Sequence, residues 1–143
     1  MSDVIVDIDV SELEELAKKV PKAIGVAVDY SGADLEGNLQ ENSPVDHGAL
    51  QGSWDRRTIG RYSQLIFSSK EYALVVSEGS DPYEIYPDEA QALKFKVNGN
   101  TVFAKKVEHP GIEGTGYIPE SIDQTRNRID EFVDMALKEA DIV

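Results

Sequence analysis

Histidine is the side chain best suited to bind a metal or move a proton near neutral pH, and this chain has two. His47 follows Asp46 in "VDHGA" and His109 follows Glu108 in "EHPGI". Two imidazoles and a carboxylate, brought together, could hold Zn²⁺ and leave a position open for an activated water. The spacing does not support such a centre. The histidines stand 62 positions apart with no HExxH or similar local pair, and both sit in turn-rich contexts where an exposed imidazole is ordinary. Nucleophilic catalysis is no better supplied. The chain has no Cys and no G-x-S-x-G elbow, and Ser43 and Ser53 lack a neighbouring base. The glycines of "HPGIEGTGYIP" could suggest a phosphate loop, but no Lys–Ser/Thr pair follows, and Glu108 and Glu113 would repel an anion. Gly111, Gly114 and Gly116 instead suggest a mobile loop that becomes ordered against a partner. No enzymatic activity, cofactor or metal is expected.

Charge points the same way. Asp plus Glu number 27 against 14 Lys plus Arg, a net charge of −13. Nucleic-acid binding draws most of its affinity from a basic face, and the nearest approach to one here is Arg56, Arg57 and Arg61. Sequence-specific DNA binding is therefore not expected. Those arginines can pair with acidic residues of an identical neighbour or partner protein, or form a solvated strand face. The acids are spread along the chain, and their mutual repulsion fades as the Debye length falls to about 3 Å near 1 M salt. A salt-loving host is one reading of this coat, and an ordinary acidic cytosolic protein is the other. Tyr83 and Tyr86, in the Pro-bounded "DPYEIYP", are candidate interface aromatics. Trp54, just after a turn, reads as a core anchor.

These residues must be positioned by a modest core, since hydrophobic residues make up 41% of the 143. That length suits one domain. No apolar run approaches the roughly 20 residues needed to cross a bilayer, and the N-terminus lacks the basic flank and apolar stretch of a signal peptide. "VIVDIDV" alternates with period two, so residues 1–10 read as an edge strand or extended arm. Ser11 and Glu14 match a capping box that would start a helix. Pro21 predicts a break or kink, followed by a longer helix to about Asn42. In that second helix Ala23/Ile24, Ala27/Val28, Ser31, Leu35 and Leu39 form an apolar stripe expected to face the core. "RRTIG", "YSQLIFSS" and "YALVVS" read as strands. "ALKFKVNGNTVFAKKV" is a long hairpin, because Asn98–Gly99 accept positive φ. From Pro119 onward, Ile122, Ile129, Phe132/Val133, Ala136/Leu137 and Ala140 predict a terminal helix. The expected class is α+β, with N-terminal helices and a C-terminal helix packed on a mostly antiparallel sheet. Residues 11–143 form a single domain in this reading.

Four blocks in order carry a resemblance: "SPVDHGALQGSW", "YALVVSEGSDPYEIYP", "ALKFKVNGNTVFAKKVEHPG" and "GYIPESI" before the amphipathic terminus. Together, over about residues 12–140, they resemble the tail-completion or head–tail joining proteins of long-tailed bacteriophages and archaeal viruses. Two positions depart from the family pattern: His47 stands where Thr is usual, and Ser80 replaces the Thr after Gly79. The resemblance implies a structural corner between the long helix and the sheet at Pro44, Asp46, Gly48 and Trp54. The residue types suit it, since Pro44 stops a helix, Asp46 can bond its own backbone and Gly48 permits a tight bend. It further implies a virion protein of the neck, assembled in the host cytoplasm and working as a homo-oligomeric ring of six-fold form. Its partners would be the head–tail connector and a tail terminator or tail tube protein, with DNA passing through the channel without specific binding. Arg56, Arg57, Arg61, Tyr83, Tyr86, His109, Gly111 and Tyr117 are the candidate interface residues. A tail terminator is the neighbouring alternative. A small acidic inhibitor that mimics nucleic acid is the alternative from another class.

Overall fold

The computed structural model describes residues 4–45, 48–87 and 93–143. In chain order the elements are α1 (Ser11–Asn42), a 3-10 turn (Gln51–Ser53), β1 (Trp54–Gly60), β2 (Ser63–Ser68), α2 (Ala73–Glu78), β3 (Gly79–Ser80), β4 (Tyr83–Ile85), β5 (Leu93–Val97), β6 (Asn100–Ala104), β7 (Val107–His109), β8 (Ile112–Glu113), α3 (Tyr117–Arg126) and α4 (Ile129–Glu139). Among the described residues every strand pair is antiparallel, and the strands form four two-stranded sheets rather than one continuous sheet. Helices and antiparallel pairs occupy separate stretches of chain, which is the α+β class. The chain divides into two compact units: Met1–Lys70 with Tyr117–Val143, and Glu71–Gly116.

The first unit is organised by α1, whose 32 residues span about 48 Å. Two expectations about it fail. Helix runs through Pro21 without interruption, so the proline costs one backbone hydrogen bond but does not end the element. Ser11 does not cap the helix either. It is the first helical residue, and its N–H donates to the Asp9 carboxylate at 2.9 Å. A carboxylate outcompetes a hydroxyl at the positive end of a helix, and these bonds hold Asp9 below its ordinary pKa. Residues 4–10 form no strand and are exposed throughout.

Helices α3 and α4 run antiparallel along one flank of α1. Asn42 Nδ2 donates to Ser121 Oγ (3.0 Å) and Gln124 Oε1 (2.8 Å), and Asn38 Nδ2 to Thr125 Oγ1 (2.9 Å). The Asp34 carboxylate accepts from Asn38 (3.0 Å), Thr125 (2.9 Å) and Arg128 (2.5 Å). Farther along, Tyr30 stacks on Phe132 with centroids 6.3 Å apart and its hydroxyl donates to Glu139, while Lys19 reaches the Asp141 carbonyl at 3.0 Å. The Glu139 bond raises the Tyr30 pKa. The expected single terminal helix is therefore two, parted at Asn127–Arg128. There the Arg128 N–H turns to the Thr125 carbonyl at 2.9 Å, while its guanidinium bridges Asp34 and Glu131. Those side-chain bonds compensate for the lost helical geometry. Phe132, Ala136 and Ala140 are buried, with Ala23 and Leu39.

On its other flank α1 meets the β1–β2 hairpin, which turns at Arg61–Tyr62 and carries an irregularity between Thr58 and Gly60. Gly32 allows the close approach, since a Cβ there would collide with the Gln64 side chain and lie 3.1 Å from Arg56 Cδ.

In the second unit "YALVVS" is mostly helix, not strand. Ala73, Val76 and Ser77 are its buried residues, a helical spacing, and Gly79 at φ 81° ends the element with its N–H on the Val75 carbonyl. The Asn98–Gly99 hairpin forms as expected, with φ of 50° and 81° joining β5 to β6.

The carboxylate of Asp34 sets the first test. Asp34→Ala leaves the Thr125 and Asn38 donors without their acceptor. The exposed half of Arg128 adds little, so we expect a loss of about 2 kcal/mol in urea unfolding, and a smaller loss for Asp34→Asn. An unchanged midpoint would mean that this network does not hold α3 and α4 to α1.

Candidate functional site

The corner after α1 is built by short-range bonds. Ser43 takes extended backbone (φ −61°, ψ 130°) ahead of Pro44 and donates its hydroxyl to the Leu39 carbonyl at 2.5 Å. Trp54 Nε1 donates to the same Ser43 oxygen at 3.0 Å, and its ring meets Tyr117 edge-on at 6.2 Å. Ser53 bonds the Leu50 carbonyl and Ser68, and Leu50 is fully buried. The start of β1 and the end of β2 are thereby tied to the end of α1. Gly48 is exposed with open space around it. Asp46 and His47 lie outside the described residues.

The three arginines do not act as a group. Arg56 faces α1, where its Nε meets Glu36 at 3.1 Å and its Nη1 meets Gln64 at 2.8 Å and Asp29 at 3.9 Å. Gln64 in turn donates to Asp29. Arg56 is therefore engaged inside its own unit. Arg57 lies over the Phe67 ring at 5.7 Å and Arg61 over Tyr62 at 5.3 Å. Both are exposed, and among the described residues neither has a carboxylate at ion-pair distance.

In the second unit β4 pairs with β7 and sets Tyr83 opposite His109. The rings stack at 4.6 Å, and His109 Nδ1 accepts the Gly111 N–H at 3.0 Å, which leaves the neutral ring's proton on Nε2. Tyr86 and Lys106 donate to Glu84 and hold that carboxyl below its ordinary pKa, while the shared bond raises that of Tyr86.

Two of the three glycines expected to make a mobile loop, Gly111 and Gly114, are packed, while Gly116 has open space around it. A Cβ on Gly111 would strike the Ser80 carbonyl and lie 2.8 Å from Asp81 C, and one on Gly114 would lie 2.6 Å from Glu78 backbone. The Gly116 N–H bonds the Ser77 carbonyl at 2.9 Å. Tyr117 is a core residue, 2% exposed, and offers no surface to a partner in the folded chain.

A surface feature that periodicity alone could not reveal lies on the crest of α1. The middle of its apolar stripe, expected to be core, forms the floor of an open cleft of about 540 Å³. Ile24, Val28 and Leu35 make the floor, Ile66 of β2 one wall, and Ile129 and Val133 of α4 the other. Ile24, Ile129 and Val133 remain 41%, 38% and 40% exposed. The periodicity marked these residues as apolar but could not show that the hairpin and α4 flank α1 without closing over it.

Two glycines with positive φ provide a test of the packed loop. Gly99→Ala, with open space around it, should cost about 1 kcal/mol for its backbone alone. Gly111→Ala adds collision with backbone that cannot rotate away. We expect a clearly larger loss, read as earlier hydrogen exchange over residues 79–85 and 107–113; equal effects would contradict the packing.

No curated protein and no solved structure gives a significant match to the chain. A family model does, the one described as "Bacteriophage HK97-gp10, putative tail-component", over residues 10–79. That span holds α1, the corner, the β1–β2 hairpin and α2, the part of the chain that carries the cleft floor and one of its walls. It agrees with the tail-completion resemblance read from the sequence, and over these residues the chain is similar to that family, in keeping with a structural component of a phage tail or neck.

Proposed function

We propose that the chain is a structural subunit of the virion neck, assembling with copies of itself into a ring, six-fold in the simplest case, between the head connector and the top of the tail. The match to a tail-component family over α1 through α2 carries the reading. Apolar surface supports it: an open cleft lined without charge, and an arm whose Val4 and Ile8 are 87% and 76% exposed. A closed ring needs one side of a subunit to fit the other side of its neighbour, with about 800 Å² per partner at a standard contact. Head–tail connector proteins on one side, and a tail terminator or tail tube protein on the other, would complete the joint. With a net charge of −13, carboxylates facing the channel repel phosphates and let DNA slide. In this role no covalent bond is made or broken and no cofactor is needed.

Particles made without the protein should accumulate as separate filled heads and tails, and purified protein added to that mixture should join them. Firm joining in its absence would reject the neck assignment. Tight duplex-DNA binding at physiological salt would reject the conduit.

The carboxylate coat also suits a salt-rich host. On that reading the unfolding midpoint should rise between low and molar KCl as repulsion is screened. A midpoint independent of salt would remove the salt-loving host from the proposal.

A further inference from the structure

Among the described residues, two features of the first unit stand without a counterpart: the apolar cleft over α1, and the exposed segment at residues 4–10. We propose that the arm of one copy occupies the cleft of the next, adding to β2 as a third strand and turning Val4, Val6, Ile8 and Val10 onto the cleft floor. This rests on the self-assembly part of the proposed function and names the contact that links the copies.

The two surfaces match in length and pattern. From Val4 to Val10 an extended strand covers about 20 Å. Along α1 the cleft runs from Ile24 to Leu35, about 16 Å at 1.5 Å per residue. Period-two alternation gives the arm one apolar face and leaves Asp7 and Asp9 on the other. Among the described residues β2 has a strand partner only in β1. Since β2 and no residue of β1 lines the cleft, the unpaired edge is the one that borders it. An unpaired edge beside an apolar groove recruits extended chain through main-chain hydrogen bonds, with specificity from alternate side chains. Charge agrees, because the arm is acidic and the receiving hairpin carries Arg57 and Arg61, both without ion pairs among the described residues.

Reach decides whose arm it is. Ile24 stands thirteen residues beyond Ser11, about 20 Å along α1, and Leu35 about 36 Å. Residues 4–10 extend at most about 25 Å. Folded back on its own helix, the arm would bring only its tip to the near end of the cleft. Leu16 is close enough for the chain's own arm, but the hollow there is lined by Glu12, Glu15 and Asp141 beside Lys19 and Ile142, and those carboxylates oppose an arm that carries Asp7 and Asp9. Only a neighbour's arm can fill the cleft along its length.

The chain contains no cysteine, so introduced thiols report cleanly. Full-length Val6→Cys and Val133→Cys chains, with Ile129→Cys as a second wall position and Glu41→Cys as an exposed control, are mixed in pairs and oxidised mildly. Self-association of the same samples is measured by sedimentation. Arm exchange predicts a disulfide-linked pair at twice the chain mass for Val6→Cys with either wall variant, and loss of that band with Glu41→Cys. A chain carrying both Val6→Cys and Val133→Cys should yield a ladder of linked copies. Closure of that double variant within a monomer would overturn the proposal, since the arm would then lie on its own cleft. Self-association without the wall cross-links would overturn arm exchange and leave the ring standing on other contacts. Absence of both cross-link and self-association would overturn the ring as well.

Discussion

Asp34 is the point on which the arrangement of the first unit depends. One carboxylate, with a side chain only 12% exposed, gathers donors from its own helix, from the last turn of α3 and from the start of α4. Asn38 and Asn42 extend the pattern at four-residue intervals and bond successive turns of α3. Polar groups at i, i+4 and i+8 lie on one face of a helix, so α1 presents α3 with a ladder of directional bonds rather than an apolar seam. Apolar seams tolerate sliding and rotation. A ladder of this kind fixes register, because a shift of one residue would strand several part-buried donors at a cost of about 1–3 kcal/mol each. The register of α3 and α4 against α1 is thereby specified more sharply than the few fully buried side chains could specify it.

The cleft follows from that arrangement. The ladder holds α3 and α4 on one flank of α1, and the Arg56–Glu36 and Gln64–Asp29 bonds hold the hairpin on the other. Gly32 allows the hairpin to sit close. Neither flank crosses the crest, so the middle of the apolar stripe stays open between them. A long helix whose stripe is only partly covered gains little from its own propensity, and here Gly25, Gly32 and Gly37 weaken it further. The remaining apolar surface is available to another chain.

Much of the architecture was legible in the sequence, and the failures have identifiable causes. The Asn98–Gly99 turn was readable because only a few residues accept positive φ in succession. The α+β class was readable from the change in apolar period after Trp54. The continuity of α1 was not, because a proline's local cost says nothing of the helical turns on either side or of the contacts that hold them. "YALVVS" misled because a short apolar run has the same composition in either state, although Gly79 directly after it was a usable sign of a helix end. Which of the candidate interface residues reach the surface was only partly legible. Arg57 and Arg61 are exposed, but Arg56 is engaged with Glu36 and Tyr117 is buried. Those outcomes depend on contacts between residues far apart in sequence, which neither spacing nor composition encodes. The polar ladder was not legible for the same reason, since the spacing of Asp34, Asn38 and Asn42 does not separate a bonded seam from a solvated face.

Charge constrains where copies of this chain can meet. At −13 per chain, approach is opposed over about 8 Å at physiological ionic strength, and a contact must be made through surface that brings few carboxylates together. The first half of α1 does not qualify, with Glu12, Glu14 and Glu15 exposed in its opening turns. The face toward α3 is occupied, and Asp29 and Glu36 engage the hairpin. The crest of α1 between its two flanks is different, because no charged side chain lines the cleft. Burying that lining removes apolar surface from water without desolvating a charge, at about 25 cal/mol per Å² gained, whereas contact through the acidic faces would pay the desolvation of every buried carboxylate. Under the proposed self-assembly, contact is thus directed to the neutral groove by the same charges that keep the other faces apart.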